Sequence, residues 1–124
     1  MTDGCSGGFY EFGYRAPRYC VDFRLMLQME GPGARLVDAR CVDISEDGVA
    51  LQVVENMPIG AHVNLVMTFP ESSTSLRIAA RVANRRGRSY GLAFIFTSQT
   101  QRDLVNEYIS SLNPAALRFR PASH

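Results

Sequence analysis

The residues Asp43-Ile44-Ser45-Glu46-Asp47-Gly48 place a carboxylate, a hydroxyl and a glycine at the first, third and sixth positions of a short segment between two runs of alternating apolar residues. A carboxylate can accept from the N–H donors of a nucleotide base, and a hydroxyl can donate to a phosphate oxygen. A glycine removes the Cβ that would hold a ligand away from the backbone. Upstream, Tyr14-Arg15-Ala16-Pro17-Arg18-Tyr19 supplies two arginines, whose planar forks suit phosphate oxygens. Together these residues offer nucleotide-binding chemistry with no catalytic group. The same types build ordinary turns, since Ser, Asp and Gly recur in tight connections, and on local pattern that reading stays open.

Catalytic alternatives find little support. His62 and His124 are the only histidines, and neither has a nucleophile or a metal-ligand spacing around it. His62 reads as a surface strand residue. Ser45 lacks the G-x-S-x-G context of a nucleophile elbow, and Glu46 and Asp47 are adjacent turn residues that rarely converge on one substrate. There is no phosphate loop and no dinucleotide fingerprint. The chain therefore reads as a non-enzyme with no cofactor.

The chain has 124 residues, enough for one core that buries roughly two-thirds of the surface exposed when unfolded. Thirteen basic residues against twelve acidic ones give a net charge of +1, so no global field draws in nucleic acid or a membrane surface. Any anion site must be local. Cys5, Cys20 and Cys41 are odd in number, far apart and without Cys-x-x-Cys spacing. They read as reduced thiols of a cytoplasmic protein, with no zinc site indicated. Apolar stretches are interrupted well before the ~18 to 20 residues of a membrane span. Residues 1–8 are small and acidic, unlike a secretory signal.

Period-two alternation dominates the chain and predicts an all-β fold. Val21, Phe23, Leu25, Leu27 and Met29 alternate with polar or exposed positions in a first strand that ends at Gly31-Pro32-Gly33. Further strands are expected over about 36–44 and 49–54, then with Val63, Leu65, Met67 and Phe69, with Leu76, Ile78, Ala80 and Val82, and with Tyr90, Leu92, Phe94 and Phe96. The basic tip Arg85-Arg86-Gly87-Arg88 separates the last two and reads as a solvated turn; a single-stranded nucleic-acid site would need exposed stacking aromatics, which here alternate inward. Six short strands with turn punctuation suggest a closed or nearly closed barrel. After Thr97 the period changes to that of a helix carrying Leu104, Val105, Tyr108, Ile109 and Leu112 on one stripe. Ser98 and Gln101 have capping-box spacing, Pro114 marks the stop, and the stripe should cover one end or flank of the barrel.

With these elements in place the chain resembles the PilZ family of bacterial cyclic di-GMP receptors, over roughly Tyr14 to Leu112. The resemblance rests on the basic segment before the first strand, Asp43-x-Ser45-x-x-Gly48 after the second and Pro58-Ile59-Gly60 before Val63-x-Leu65. It continues through Leu76 to Val82, Tyr90-Gly91-Leu92-Ala93-Phe94 and the carboxyl-terminal helix. It implies a six-stranded antiparallel PilZ-like β-barrel with a C-terminal α-helix and a domain over 14–113; the small, polar residues before it read as a flexible N-terminal lead-in over 1–13, and 114–124 as a tail. It also implies a ligand clamped between an RxxxR segment and a (D/N)xSxxG motif, so that Arg15, Arg18, Asp43, Ser45 and Gly48 would bind cyclic di-GMP.

The resemblance further implies a second-messenger receptor or adaptor that changes conformation on nucleotide binding. Its protein partner would belong to a motility, pilus or polysaccharide-export system, with a role in motility or biofilm regulation. In that picture residues 9–19 wrap onto the barrel when ligand binds, and Arg18 and Asp43 are surface side chains.

The first motif departs from the family pattern. If Arg18 is its second arginine, Tyr14 stands where the first belongs, and Arg15 is one residue off. In an extended segment a separation of three puts side chains on opposite sides and one of four puts them on the same side. Pro17 biases Ala16 toward extended backbone, so the parity matters. Either Tyr14 stacks on guanine while Arg15 reaches phosphate, or the chain is a degenerate interaction module that kept the barrel without the ligand.

Overall fold

The computed structural model describes residues 17–29, 35–70 and 72–112. Tyr14, Arg15, the Gly31-Pro32-Gly33 turn, Pro114, the lead-in and the tail lie outside these. Six strands are present: β1 (Tyr19–Met29), β2 (Leu36–Ile44), β3 (Gly48–Gln52), β4 (His62–Thr68), β5 (Ser75–Arg86) and β6 (Ser89–Ile95), followed by helix α1 (Gln99–Leu112). Every pairing is antiparallel, and the sheet closes into a barrel in the order β1-β2-β3-β6-β5-β4.

Alternation explains which face is filled. Val63, Leu65 and Met67 of β4 and Leu76, Ile78, Ala80 and Val82 of β5 point inward, while His62, Arg77 and Arg81 stay exposed. Leu27, Leu65, Ile78 and Leu92 have no exposed surface, and each such side chain contributes about 1.5–3 kcal/mol by leaving water. Closure pairs β1 with β4, so no strand is left as the outer edge of an open sheet.

The segment between β3 and β4 crosses one end of the barrel, because these strands are not neighbours. It is held from inside: the buried Tyr90 hydroxyl donates to the Glu55 carbonyl at 3.0 Å and accepts from the Met57 N–H at 3.1 Å. Gly60, at φ 93°, sits where that segment turns into β4, and its N–H donates to the Val82 carbonyl at 2.7 Å.

Helix α1 closes the other end. Its Val105 is fully buried, and Leu104, Tyr108, Ile109 and Leu112 pack against the core. The Tyr108 ring stacks on Phe69 with centroids 4.2 Å apart, and Phe23 meets both edge-on. At the helix start Ser98 Oγ accepts from the Gln101 N–H at 3.2 Å, while the Gln101 side-chain carbonyl accepts from the Thr97 N–H at 2.8 Å. The reciprocal capping expected from the sequence is thus present, with the return bond displaced by one residue.

Three details differ from the sequence reading. β3 stops at Gln52, leaving Val54 88% exposed. β5 runs on to Arg86, so Arg85 and Arg86 are strand residues and the turn is Gly87-Arg88, with Gly87 at φ 61°. Backbone pairing with β6 extends the ladder past the point where apolar alternation ends. Finally, Cys20 is disulfide-bonded, whereas Cys41 is a free buried thiol. Cys20 faces outward, where another thiol can reach it, and Cys41 faces the core. The cysteine count therefore does not argue for a reducing compartment. No helix among the described residues is long and apolar enough to cross a membrane.

Candidate functional site

Four of the five expected binding residues, Arg18, Asp43, Ser45 and Gly48, converge where β1 begins and β2 ends. Cys20 pairs with Asp43 across these strands, which brings Arg18 level with the motif that starts at Asp43. Two register irregularities shape the corner, one in β1 between Cys20 and Phe23 and one in β2 between Cys41 and Asp43. They reset the alternation: Ala39 and Cys41 point into the core and so does Ile44, three residues on. Asp43 consequently leaves the apolar interior and meets Arg18.

The two form a bidentate ion pair, with Arg18 Nε donating to Asp43 Oδ1 at 3.1 Å and Nη2 donating to Oδ2 at 2.5 Å. Their side chains are 6% and 2% exposed, so the expectation that both lie open on the surface is overturned. Burial pushes the Asp43 carboxyl above its usual range, and the Arg18 guanidinium pulls in the opposite direction. The pair joins groups 25 positions apart in the chain.

The loop from Ser45 to Gly48 is a tight turn and also a polar edge. The Ser45 N–H donates to the Gly48 carbonyl at 2.9 Å, and Ser45 Oγ accepts from the N–H groups of Asp47 and Gly48 at 3.0 and 3.2 Å. The hydroxyl spends its lone pairs on the loop and retains its proton as a donor. The loop is tied to β6 by the Phe94 N–H, which donates to the Asp47 carbonyl at 2.9 Å.

Gly48 is required by the barrel itself. A Cβ there would lie 2.1 Å from the Leu92 carbonyl oxygen of the neighbouring strand, and its φ is not in the left-handed region. The turn reading and the binding reading thus share the same residues: the turn chemistry presents Asp43 and the Ser45 hydroxyl at one corner of the wall.

Arg15 lies outside the described residues, so of the five expected residues four are placed, and all four come together. Among the described residues no group of three His, Cys, Asp or Glu could hold a metal ion. His62 is exposed on β4. A groove of about 470 Å³ on the outer wall is lined not by this corner but by Arg24, Asp38, Arg40, Gln52, Val54 and Arg88. Sequence reasoning missed these residues. Arg24 and Arg40 stood at outward positions of their strands, but the register that sets them side by side is not written in either strand alone.

A closed six-stranded barrel, a helix over one end, and an arginine ahead of β1 paired to the aspartate of a D-x-S-x-x-G turn meet here on one scaffold. The family model described as the PilZ domain matches residues 14–111. The chain belongs to the PilZ family. Among solved structures it is similar to the PilZ domain with c-di-GMP of YcgR from Escherichia coli, with a TM-score of 0.65, 15% identity, and 89% of this chain and 98% of that one covered. It is similar also to the PilZ domain of CeSA from a cellulose-synthesizing bacterium, with a TM-score of 0.60, 13% identity, and coverages of 80% and 97%. The Bacillus subtilis inhibitor of motility MotI/DgrA matches with a TM-score of 0.56 and 16% identity, and the match covers 82% of this PilZ chain and 52% of that protein. At these identities the likeness is one of fold. A search of curated proteins gives no significant match.

Proposed function

We propose that this PilZ protein is a non-catalytic receptor for cyclic di-GMP that acts in the cytoplasm as an adaptor to a protein partner. The carrying observation is the Arg18–Asp43 pair seated beside the Ser45–Gly48 loop, two halves of a motif brought to one corner of the barrel. Arg18 offers a charged planar group for stacking on a base or holding phosphate, and Asp43 keeps that plane in one orientation. The Ser45 hydroxyl donates to a phosphate oxygen, and Gly48 keeps the loop close to the wall. Arg15 is the second cation, and Tyr14 takes the place of the missing fork by stacking. The similarity to a PilZ domain with bound c-di-GMP and to an inhibitor of motility favours this ligand and a partner of the motility, pilus or polysaccharide-export kind.

One observation favours a second reading. Asp43 is already satisfied by Arg18 and almost wholly buried, as it would be in a module that kept the barrel and lost the ligand. Isothermal titration with cyclic di-GMP, with GTP and cyclic di-AMP as controls, separates the two. Selective saturable heat that weakens about tenfold or more in Arg18→Lys, which keeps the charge and loses the fork, is expected of a receptor. Absence of heat at high ligand concentration leaves the interaction module.

A further inference from the structure

The groove beside the candidate site is built around an electrostatic conflict. Arg24 of β1 lies directly across from Arg40 of β2, and like charges in facing strand positions destabilise a sheet. Arg40 is compensated by Asp22, at 2.8 and 3.0 Å, through a bidentate pair. Arg24 is not: among the described residues neither it nor Arg88 has a salt-bridge or hydrogen-bond partner for its guanidinium. The row continues from Arg40 to Gln52 of β3 and from Gln52 to Ser89 of β6. Arg88 is the residue just before, its carbonyl accepting from the Val53 N–H at 3.3 Å. Three guanidinium groups and one amide therefore ring a concavity of about 470 Å³ whose one carboxylate is Asp38, with exposed Val54 as an apolar wall. A space of that size accommodates a nucleotide-sized ligand.

The groove adjoins the candidate site. Gln52 is two residues along β3 from Ala50, the register partner of Asp43, a distance of roughly 7 Å at ~3.3 Å per residue. Both sets of side chains stand on the same outer wall of the barrel.

We propose that the Arg24–Arg40–Gln52–Arg88 groove is a phosphate-binding subsite that takes a phosphodiester of the ligand seated at Arg18 and Asp43. The identity of that ligand as cyclic di-GMP rests on the function proposed above. The phosphate chemistry rests on the groove alone: two uncompensated forks can hold phosphate oxygens bidentately, and the bound charge relieves the facing Arg24 and Arg40. The chain thereby regains cationic contacts that Tyr14 withholds from the first motif.

The test follows the arginine Nε–H resonances of the full ¹⁵N-labelled protein in two titrations. With pyrophosphate, Arg24 and Arg88 are expected to shift saturably, and Arg24→Gln with Arg88→Gln should weaken that binding about tenfold or more. Arg81→Gln, an exposed arginine on β5 away from the groove, should leave it unchanged, and amide spectra of each variant check the fold. With cyclic di-GMP, shifts of the same two resonances and displacement of pyrophosphate assign the phosphate to the dinucleotide.

Pyrophosphate that leaves Arg24 and Arg88 unmoved overturns the subsite. Cyclic di-GMP that binds with those resonances unmoved, or binds the double variant as tightly as the parent, overturns its assignment to the dinucleotide. Pyrophosphate binding in a protein that gives no heat with cyclic di-GMP upholds the phosphate groove and refutes the receptor reading instead.

Discussion

Arg18 and Asp43 hold each other in a place where each alone would be costly. A buried pair is a weak source of net stability, but removal of one member leaves an uncompensated charge behind, at roughly 3–5 kcal/mol. Arg18→Ala is therefore expected to destabilise the protein by about that amount in urea unfolding, and Arg18→Ala combined with Asp43→Asn is expected to recover most of it. Equal losses in the single and double variants would mean that the arginine acts through packing of its stem. The single alanine variant is accordingly a poor probe of ligand binding, and the conservative Arg18→Lys is the better one. Arg18 and the Asp43-x-Ser45-x-x-Gly48 turn were legible in the sequence. Their mutual burial was not, because the bulges that bring Asp43 out of the core appear only once β1 and β2 are in register.

Among the elements, β6 does more than complete the wall. Its Tyr90 reaches through the interior to fasten the segment that crosses from β3 to β4, with one backbone donor and one backbone acceptor on a single hydroxyl. Tyr90→Phe keeps the ring and orphans both groups, a loss expected at about 1–3 kcal/mol in the unfolding free energy. Alternation named Tyr90 as inward from the sequence, as it did Val63, Leu65 and Met67. It could not say that the ring's hydroxyl would find the Met57 N–H, since that contact spans 33 positions and depends on strand order. The helix was legible in its period, its cap residues and its stripe, which agree with the packed α1 because each is a property of residues three and four apart.

For the molecule as a whole, closure makes the interior dry, and Cys41 reports on it. Burial pushes its thiol from 9.0 to about 12; a hydrogen bond with the Asp43 backbone pulls the other way and the Asp43 charge adds to the rise. A folded-state value above the unfolded one means that the native state holds its proton longer. The stabilisation is complete below about pH 9 and is lost as the pH rises toward 12, by about 1.4 kcal/mol per pH unit inside that window. Unfolding free energies measured across this range should fall more steeply for the parent than for Cys41→Ala. Parallel curves would place the thiol in contact with water.

The sequence by itself determined the periods: which residues face inward, where a helix takes over, and that Asp43, Ser45 and Gly48 form one polar turn. These are local properties, set by side chains two to four positions apart. Tertiary structure decided the pairing of β3 with β6 and β1 with β4, the burial of the Arg18–Asp43 pair, the clash that makes Gly48 obligatory and the facing of Arg24 with Arg40. Each of these depends on register between distant segments. Register is chosen by the closing of the whole barrel around its core, a sum over many contacts that no single strand contains.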